Sequence, residues 1–155
     1  METKKVLTAN PDETRQLGHQ VAQHLQGNEN ICLFGELGAG KTAFVQGLAQ
    51  GLMIAETVKS PTFTYLREYD IPMRSTKFAH YDLYRLSDSP TFHDLDSIEL
   101  FERLANDDVI VCIEWAEKLE AYQNNATFKV RFRYLEDEQR EIEIPKRLLY
   151  PSPRR

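Results

Sequence analysis

Gly35-Glu36-Leu37-Gly38-Ala39-Gly40-Lys41-Thr42 matches the phosphate-loop pattern GxxxxGK[ST] at every fixed position, and its flanks decide the fold. Asn30-Ile31-Cys32-Leu33-Phe34, just before it, is an apolar run suited to a buried parallel strand. Just after it, Phe44, Val45, Leu48, Ala49 and Leu52 recur at helical spacing. Strand, loop, helix is the order such a loop requires. Its glycines let successive backbone N–H groups point inward at phosphate oxygens, Lys41 adds a positive charge near the outer phosphates, and the Thr42 hydroxyl suits Mg2+. The expected nucleotide contacts are Glu36, Leu37, Gly38, Ala39, Gly40, Lys41, Thr42 and Ala43. The competing reading, a Gly-rich turn that binds nothing, is disfavoured by flanks that agree with the motif.

Around that stretch, 155 residues suffice for one domain with a full α/β core. A formal net charge of −5 argues against a protein that grips nucleic acid over a broad basic face, so any work on RNA needs a partner. The two cysteines, Cys32 and Cys112, both lie inside apolar runs without ligand-type spacing and read as buried reduced thiols, which suits the cytosol. No stretch approaches the roughly 18 apolar residues of a membrane span, and Met1 to Lys5 leads into neither a signal-type nor a transit-type segment. The expectation is a soluble, cytoplasmic protein.

Taken in order, Lys5-Val6-Leu7 predicts a short edge strand. Asn10-Pro11-Asp12-Glu13 predicts a helix start, with Asn10 as N-cap, Pro11 at the first position and Glu13 completing a capping-box-like arrangement; the helix runs to about Gln26 and stops at Gly27-Asn28. Ser60-Pro61 breaks the chain after the phosphate-loop helix, and Thr62 to Asp82 reads as a β-hairpin turned by Asp70 to Ser75. A hairpin at this point, where a simple βαβ unit would place a parallel strand, implies a mixed sheet. A helical stretch follows from Thr91 to Ala105, and Val109 to Ile113 is the most buried-looking strand, ending on Glu114. Thr127 to Tyr134 and Arg140 to Ile144 form a last hairpin around Glu136-Asp137-Glu138-Gln139. The predicted fold class is α/β, a single P-loop NTPase-like domain over residues 1–145 with a mixed parallel/antiparallel central sheet flanked by helices. Residues 146–155 are expected to form a basic, loosely ordered tail.

A nucleoside triphosphate on the loop needs Mg2+, and Mg2+ needs hard oxygen ligands: Thr42 is the first, and a carboxylate at the end of a neighbouring buried strand is the second. Glu114 is the favoured candidate, because an acid closing a fully apolar strand is costly unless paired or metal-bound. Asp82, at the end of the less apolar Phe78 to Tyr81, reads equally well as a site acid or as a cap for the next turn. Thr62 lies where switch loops sit and could sense the γ-phosphate, or could simply open a strand. His80 reads as a base or, more simply, as a satisfied core imidazole.

Four motifs in order, Gly35 to Thr42, Lys59 to Thr64, His80 to Leu86 and Ile113-Glu114-Trp115, make the chain closely resemble the TsaE (YjeE) family, which is characterised by GxLGAGKT, KSPT(F/Y)T, H-x-DLYRL and (I/V)EW segments. The resemblance implies a small ATPase required to make N6-threonylcarbamoyladenosine in tRNAs that read codons beginning with A. It also implies that the chain leaves the transfer itself to TsaD and docks on the TsaD–TsaB pair, touching tRNA only through it. The cofactors implied are ATP/ADP and Mg2+. The same resemblance implies catalytic roles for Lys41, Thr62, Asp82 and Glu114, metal ligation by Thr42 and Glu114, and nucleotide contacts from Glu13 and Arg140. One departure stands out: Asp96 occupies the place where the family has the glycine of a Leu-Gly pair. Two other readings stay open on the residues alone. One is a small nucleoside or nucleotide kinase, although only Arg85 offers itself as a clamp. The other is a binding module that uses nucleotide state as a docking signal and hydrolyses little.

Overall fold

In the computed structural model, residues 2–36, 38–56, 66–82, 108–114 and 128–150 are described. The elements are β1 (Thr3–Thr8), α1 (Pro11–Ala22), β2 (Asn30–Phe34), α2 (Lys41–Gly51), β3 (Leu66–Asp70), β4 (Lys77–Asp82), β5 (Val109–Glu114), β6 (Phe128–Tyr134), β7 (Arg140–Pro145) and a helical turn, α3 (Lys146–Leu149). The seven strands form one sheet in the order β1-β7-β6-β2-β5-β4-β3. The inner four, β6, β2, β5 and β4, run parallel. The flanking pairs β3–β4, β6–β7 and β1–β7 are antiparallel. The mixed sheet expected from the first hairpin is present; Thr62 to Tyr65, the expected start of that hairpin, lies outside the described residues, as do the Thr91 to Ala105 helix and Asp96.

Alternation along the strands sorts the side chains by face. Ile31 and Leu33, Ile110 and Cys112, Val130 and Phe132, and Ile142 and Ile144 share one face and form the core with Leu17 and Val21 of α1 and Phe44, Val45 and Leu48 of α2. The rings of Phe44 and Phe132 meet edge-on with centroids 5.5 Å apart. Each large aliphatic or aromatic side chain so buried contributes roughly 1.5–3 kcal/mol. On the opposite face Cys32, Ala79, Tyr81, Val111 and Ile113 are also buried. Further along, that face turns charged and wet: Arg133 pairs with Glu141 at 3.4 Å and Arg131 with Glu143 at 3.9 Å.

Helix α1 begins as its residues dictate, with Pro11 at the first position and Asn10 Oδ1 accepting from the Glu13 amide at 2.9 Å. It ends at Ala22, short of the expected Gln26. The reason is local: the Glu29 carboxylate accepts from the amides of Gln26, Gly27 and Asn28, turning the chain into β2 before another helical turn can form. The two helices cross closely through glycines. A Cβ on Gly18 would run into the backbone oxygen of Phe44, and one on Gly47 into the backbone of Arg15. The loosely ordered tail expected from Lys146 is corrected in its first part, because Leu148 and Leu149 are buried in the core and hold Lys146–Leu149 as a helical turn. The tail beyond Tyr150 lies outside the described residues.

Candidate nucleotide site

The parallel strands place their carboxyl ends together, and the site grows from that edge. β2 leads into Gly35, Gly38 and Gly40, which all have positive φ (148°, 80° and 103°), a backbone path that L side chains rarely follow. The loop is pinned by a hydrogen bond from the Ala39 amide to Glu36 O at 3.1 Å, and Ala39 is buried beneath it. α2 opens on Gly40 with no side-chain cap, so its first-turn amides, those of Lys41, Thr42 and Ala43, belong to the set that a helix cannot satisfy internally. The Lys41 side chain is buried and its Nζ donates to Gly35 O at 2.5 Å, curling the cation under the loop.

Two neighbouring strand ends bring acids to the loop. The β4–β5 register puts Asp82 opposite Glu114, and the β2–β5 register puts Leu33 opposite Glu114, so Glu114 stands between the phosphate-loop strand and Asp82. Thr42 Oγ1 donates to Glu114 Oε1 at 3.3 Å, joining residues 72 apart in sequence. Glu114 is buried, and its other oxygen, Oε2, lies 2.6 Å from His80 Nε2. Asp82 is half-buried at the same edge.

Other elements close on the loop from the side. Arg140, first residue of β7, donates from Nη2 to Gly38 O at 3.0 Å and lies 4.3 Å from the centroid of the Tyr134 ring. Its Cγ and the Thr14 Cγ2 of α1 would each sit 3.6 Å from a Cβ on Gly40. Glu13, in contrast, caps its own helix: Oε1 accepts from the Ala9 amide at 2.8 Å. Glu36 is exposed in the loop, while Leu37 and Thr62 lie outside the described residues.

The residues present fit a Mg2+-nucleotide. Mg2+ takes hard oxygen ligands, and Thr42 Oγ1 and Glu114 Oε1, 3.3 Å apart, are two oxygens that would hold it together. Added at Gly38, a Cβ would meet nothing within 4 Å, so the loop leaves open space at its tip. Among the described residues no cluster of three or more His, Cys, Asp or Glu could hold a metal ion. Cys112, one pleat back from Glu114, stays a neutral thiol: burial pushes its pKa well above the ordinary value, with the Glu114 charge as the next cause.

His80 is the residue that the sequence reading undervalued. It does sit in the core, but its partner is the candidate metal ligand itself. The signal was present in the spacing, since His80 and Asp82 are two apart on a strand and share a face.

Known proteins place this arrangement. The family model for "Threonylcarbamoyl adenosine biosynthesis protein TsaE" matches residues 8–142. The chain is 33% identical over 145 residues to the tRNA threonylcarbamoyladenosine biosynthesis protein TsaE of Bacillus subtilis, covering 92% of this chain and 85% of that protein. With its namesake from Aquifex aeolicus it shares 38% identity over 117 residues, 74% and 78% of the two chains. Among solved structures, the crystal structure of Bacillus subtilis YdiB superposes with a TM-score of 0.73 at 29% identity, over 92% of this chain and 84% of that one. With its phosphate loop, paired strand-end acids and mixed seven-stranded sheet, the chain belongs to the TsaE family of tRNA threonylcarbamoyladenosine biosynthesis proteins.

Proposed function

We propose that the chain is a Mg2+-dependent ATPase that serves threonylcarbamoyladenosine formation by docking, according to its nucleotide state, on the TsaD–TsaB pair. The observation that carries the reading is the hydrogen bond of Thr42 Oγ1 to Glu114 Oε1, which brings the end of the phosphate loop and the acid of the buried strand to one point. The loop amides and Lys41 hold the phosphates. Thr42 and Glu114 hold the metal, which when bound neutralises charge on the outer phosphates. Asp82, opposite Glu114 in register, is the second acid available to orient or deprotonate a water. Thr62 senses the γ-phosphate, Glu36 to Ala43 line the nucleotide, and Arg140 steadies the loop at Gly38 O. For Glu13, the bond to Ala9 supports a capping role that positions α1, with its nucleotide contact resting on family resemblance.

Titration calorimetry with ADP and a non-hydrolysable ATP analogue, with and without Mg2+, tests the site. Binding that is absent in the wild type, or unchanged in Lys41→Ala, overturns the reading. Co-purification with TsaD–TsaB in ATP and in ADP tests the docking. Turnover is expected to be slow for the isolated chain and faster with the pair; turnover that is fast alone and indifferent to them contradicts the proposed cycle.

A further inference from the structure

We infer that His80 is a positioning residue, which locks the Glu114 carboxylate into the orientation it needs beside Thr42; the inference rests on the reading of Thr42 and Glu114 as the metal-holding pair. His80 lies opposite Cys112 in the β4–β5 register, one pleat back from the Asp82–Glu114 pair and on the same face. Its side chain is 0% exposed and that of Glu114 is 3% exposed. The 2.6 Å contact between them is therefore shielded from water and short even for a charge-assisted hydrogen bond.

The two carboxylate oxygens are shared out. Oε2 meets His80 and Oε1 accepts from Thr42, so donors on β4 and α2 together fix both the position and the plane of a side chain with three rotatable bonds. The Thr42 bond, at 3.3 Å, is the longer and weaker of the two, and a ligand entering beside Thr42 would compete for that hydroxyl. His80 is the partner that remains. A bond donated to the Glu114 carboxylate places the His80 proton on Nε2. His80 Nδ1 is buried with no hydrogen-bond partner among the described residues. A proton on Nε2 alone leaves a bare lone pair there, whereas the other tautomer would strand an N–H in the core and set two acceptors face to face.

The unpartnered Nδ1 also separates this role from core filling. A leucine of similar bulk would occupy the place without burying an unpaired nitrogen. What the imidazole adds is the bond to Glu114, a contact of the kind that orients ligating side chains around metals.

The test separates metal from nucleotide. Mg2+ is titrated into the full-length protein saturated with ADP, and ADP affinity is measured separately without Mg2+. His80→Asn, whose short amide mimics Nδ1 and falls short of Glu114, should weaken Mg2+ binding roughly 10–100-fold while leaving Mg2+-free ADP affinity within about 2-fold. His80→Gln, whose amide reaches the Nε2 position, should restore most of the loss. In nucleotide-free wild-type protein, nitrogen-15 imidazole spectra should show His80 protonated at Nε2 and bare at Nδ1, with the Nε2 signal moving in Glu114→Gln.

Mg2+ binding by His80→Asn equal to that of the wild type overturns the inference, as does an equal loss of ADP affinity with and without Mg2+. If His80→Asn does not fold, the same two affinities of His80→Gln and the imidazole spectra decide, and a proton on Nδ1 refutes the bond. If wild-type protein binds ADP but gains nothing from Mg2+, the metal reading of Glu114 falls and takes the positioning role with it, even where the spectra show the bond.

Discussion

Replacing Gly47 with alanine sets two opposing effects against each other inside the helix pair that carries the phosphate loop. Gly47 lies within α2, where alanine is favoured over glycine by about 1 kcal/mol through backbone entropy alone. Against this, the new Cβ would overlap the backbone oxygen of Arg15, with the Arg15 carbonyl carbon at 2.8 Å and Cα at 2.9 Å. All three obstacles are main-chain atoms of α1 that cannot rotate away, so the helices must part. Overpacking costs about 1–3 kcal/mol, and rigid obstacles argue for the upper end. The balance is a net destabilisation of about 2 kcal/mol, or a fall in melting temperature of roughly 4–8 °C for a chain of this size. The displacement should reach the site, because α1 holds Thr14 Cγ2 only 3.6 Å from the Cβ position of Gly40. Urea denaturation gives the stability and ADP titration gives the affinity. Gly18→Ala makes the matching clash against the backbone of Phe44, so one separation of the helices relieves both, and the double variant should cost less than the sum. An unchanged or raised melting temperature for Gly47→Ala would refute the close crossing.

Glu114→Gln should change the stability of the nucleotide-free protein by no more than about 1 kcal/mol, since it relieves a buried charge while keeping one acceptor. It should nevertheless abolish the gain in ADP affinity from Mg2+; Glu114→Ala, which strips the partner from His80 Nε2, should cost about 1–3 kcal/mol as well. Glu138→Gly should stabilise by about 1 kcal/mol, read as a higher melting temperature, because Glu138 sits at φ 64° in the β6–β7 turn; an unchanged or lower value removes the case for strain there. Burial pushes the Cys32 thiol up to about 12, with Lys129 opposing in part, so in the unfolded chain this thiol ionises first. The stability it contributes is complete below the ordinary thiol value of 9.0 and drains away as pH climbs towards 12, by about 1.4 kcal/mol per pH unit. The melting temperature of Cys32→Ala should accordingly fall less steeply above pH 9 than that of the wild type, and parallel slopes refute the argument.

What the sequence made legible was local. Asn10 and Pro11 announce α1 because capping is decided within a few residues, and the run from Val109 to Ile113 announces a buried strand because apolar content needs no partner to be recognised. The strand-end acid Glu114 could be picked out for the cost of burying it. Which strands are neighbours could not. Nothing in Phe78 to Asp82 says that β4 lies beside β5 in a register that sets Asp82 against Glu114 and brings His80 to its carboxylate. Long-range pairing is settled by the packing of the whole sheet, so the histidine looked like a lone core residue. The early end of α1 went unseen for a similar reason, because the Glu29 side chain had to turn back onto three amides. Lys146 and Arg147 masked Leu148 and Leu149, whose burial depends on the space left beneath α1 and β7.

The place of β5 between β2 and β4 bears on how the protein comes into being on the ribosome. Residues 1–82 already contain the phosphate loop and the β3–β4 hairpin, yet in the sheet β2 and β4 are joined by a strand made later. Until Val109–Glu114 has emerged and slotted in, the nascent chain carries the β3–β4 hairpin beside β1 and β2, whose sheet partners come later, and such open edges invite wrong pairing. Closure of the sheet then delivers Glu114 to Thr42 in the same step. If the proposed site beside Thr42 holds a nucleotide, nucleotide added during synthesis should favour the chain only after that strand is in place, leaving the earlier chain to chaperones.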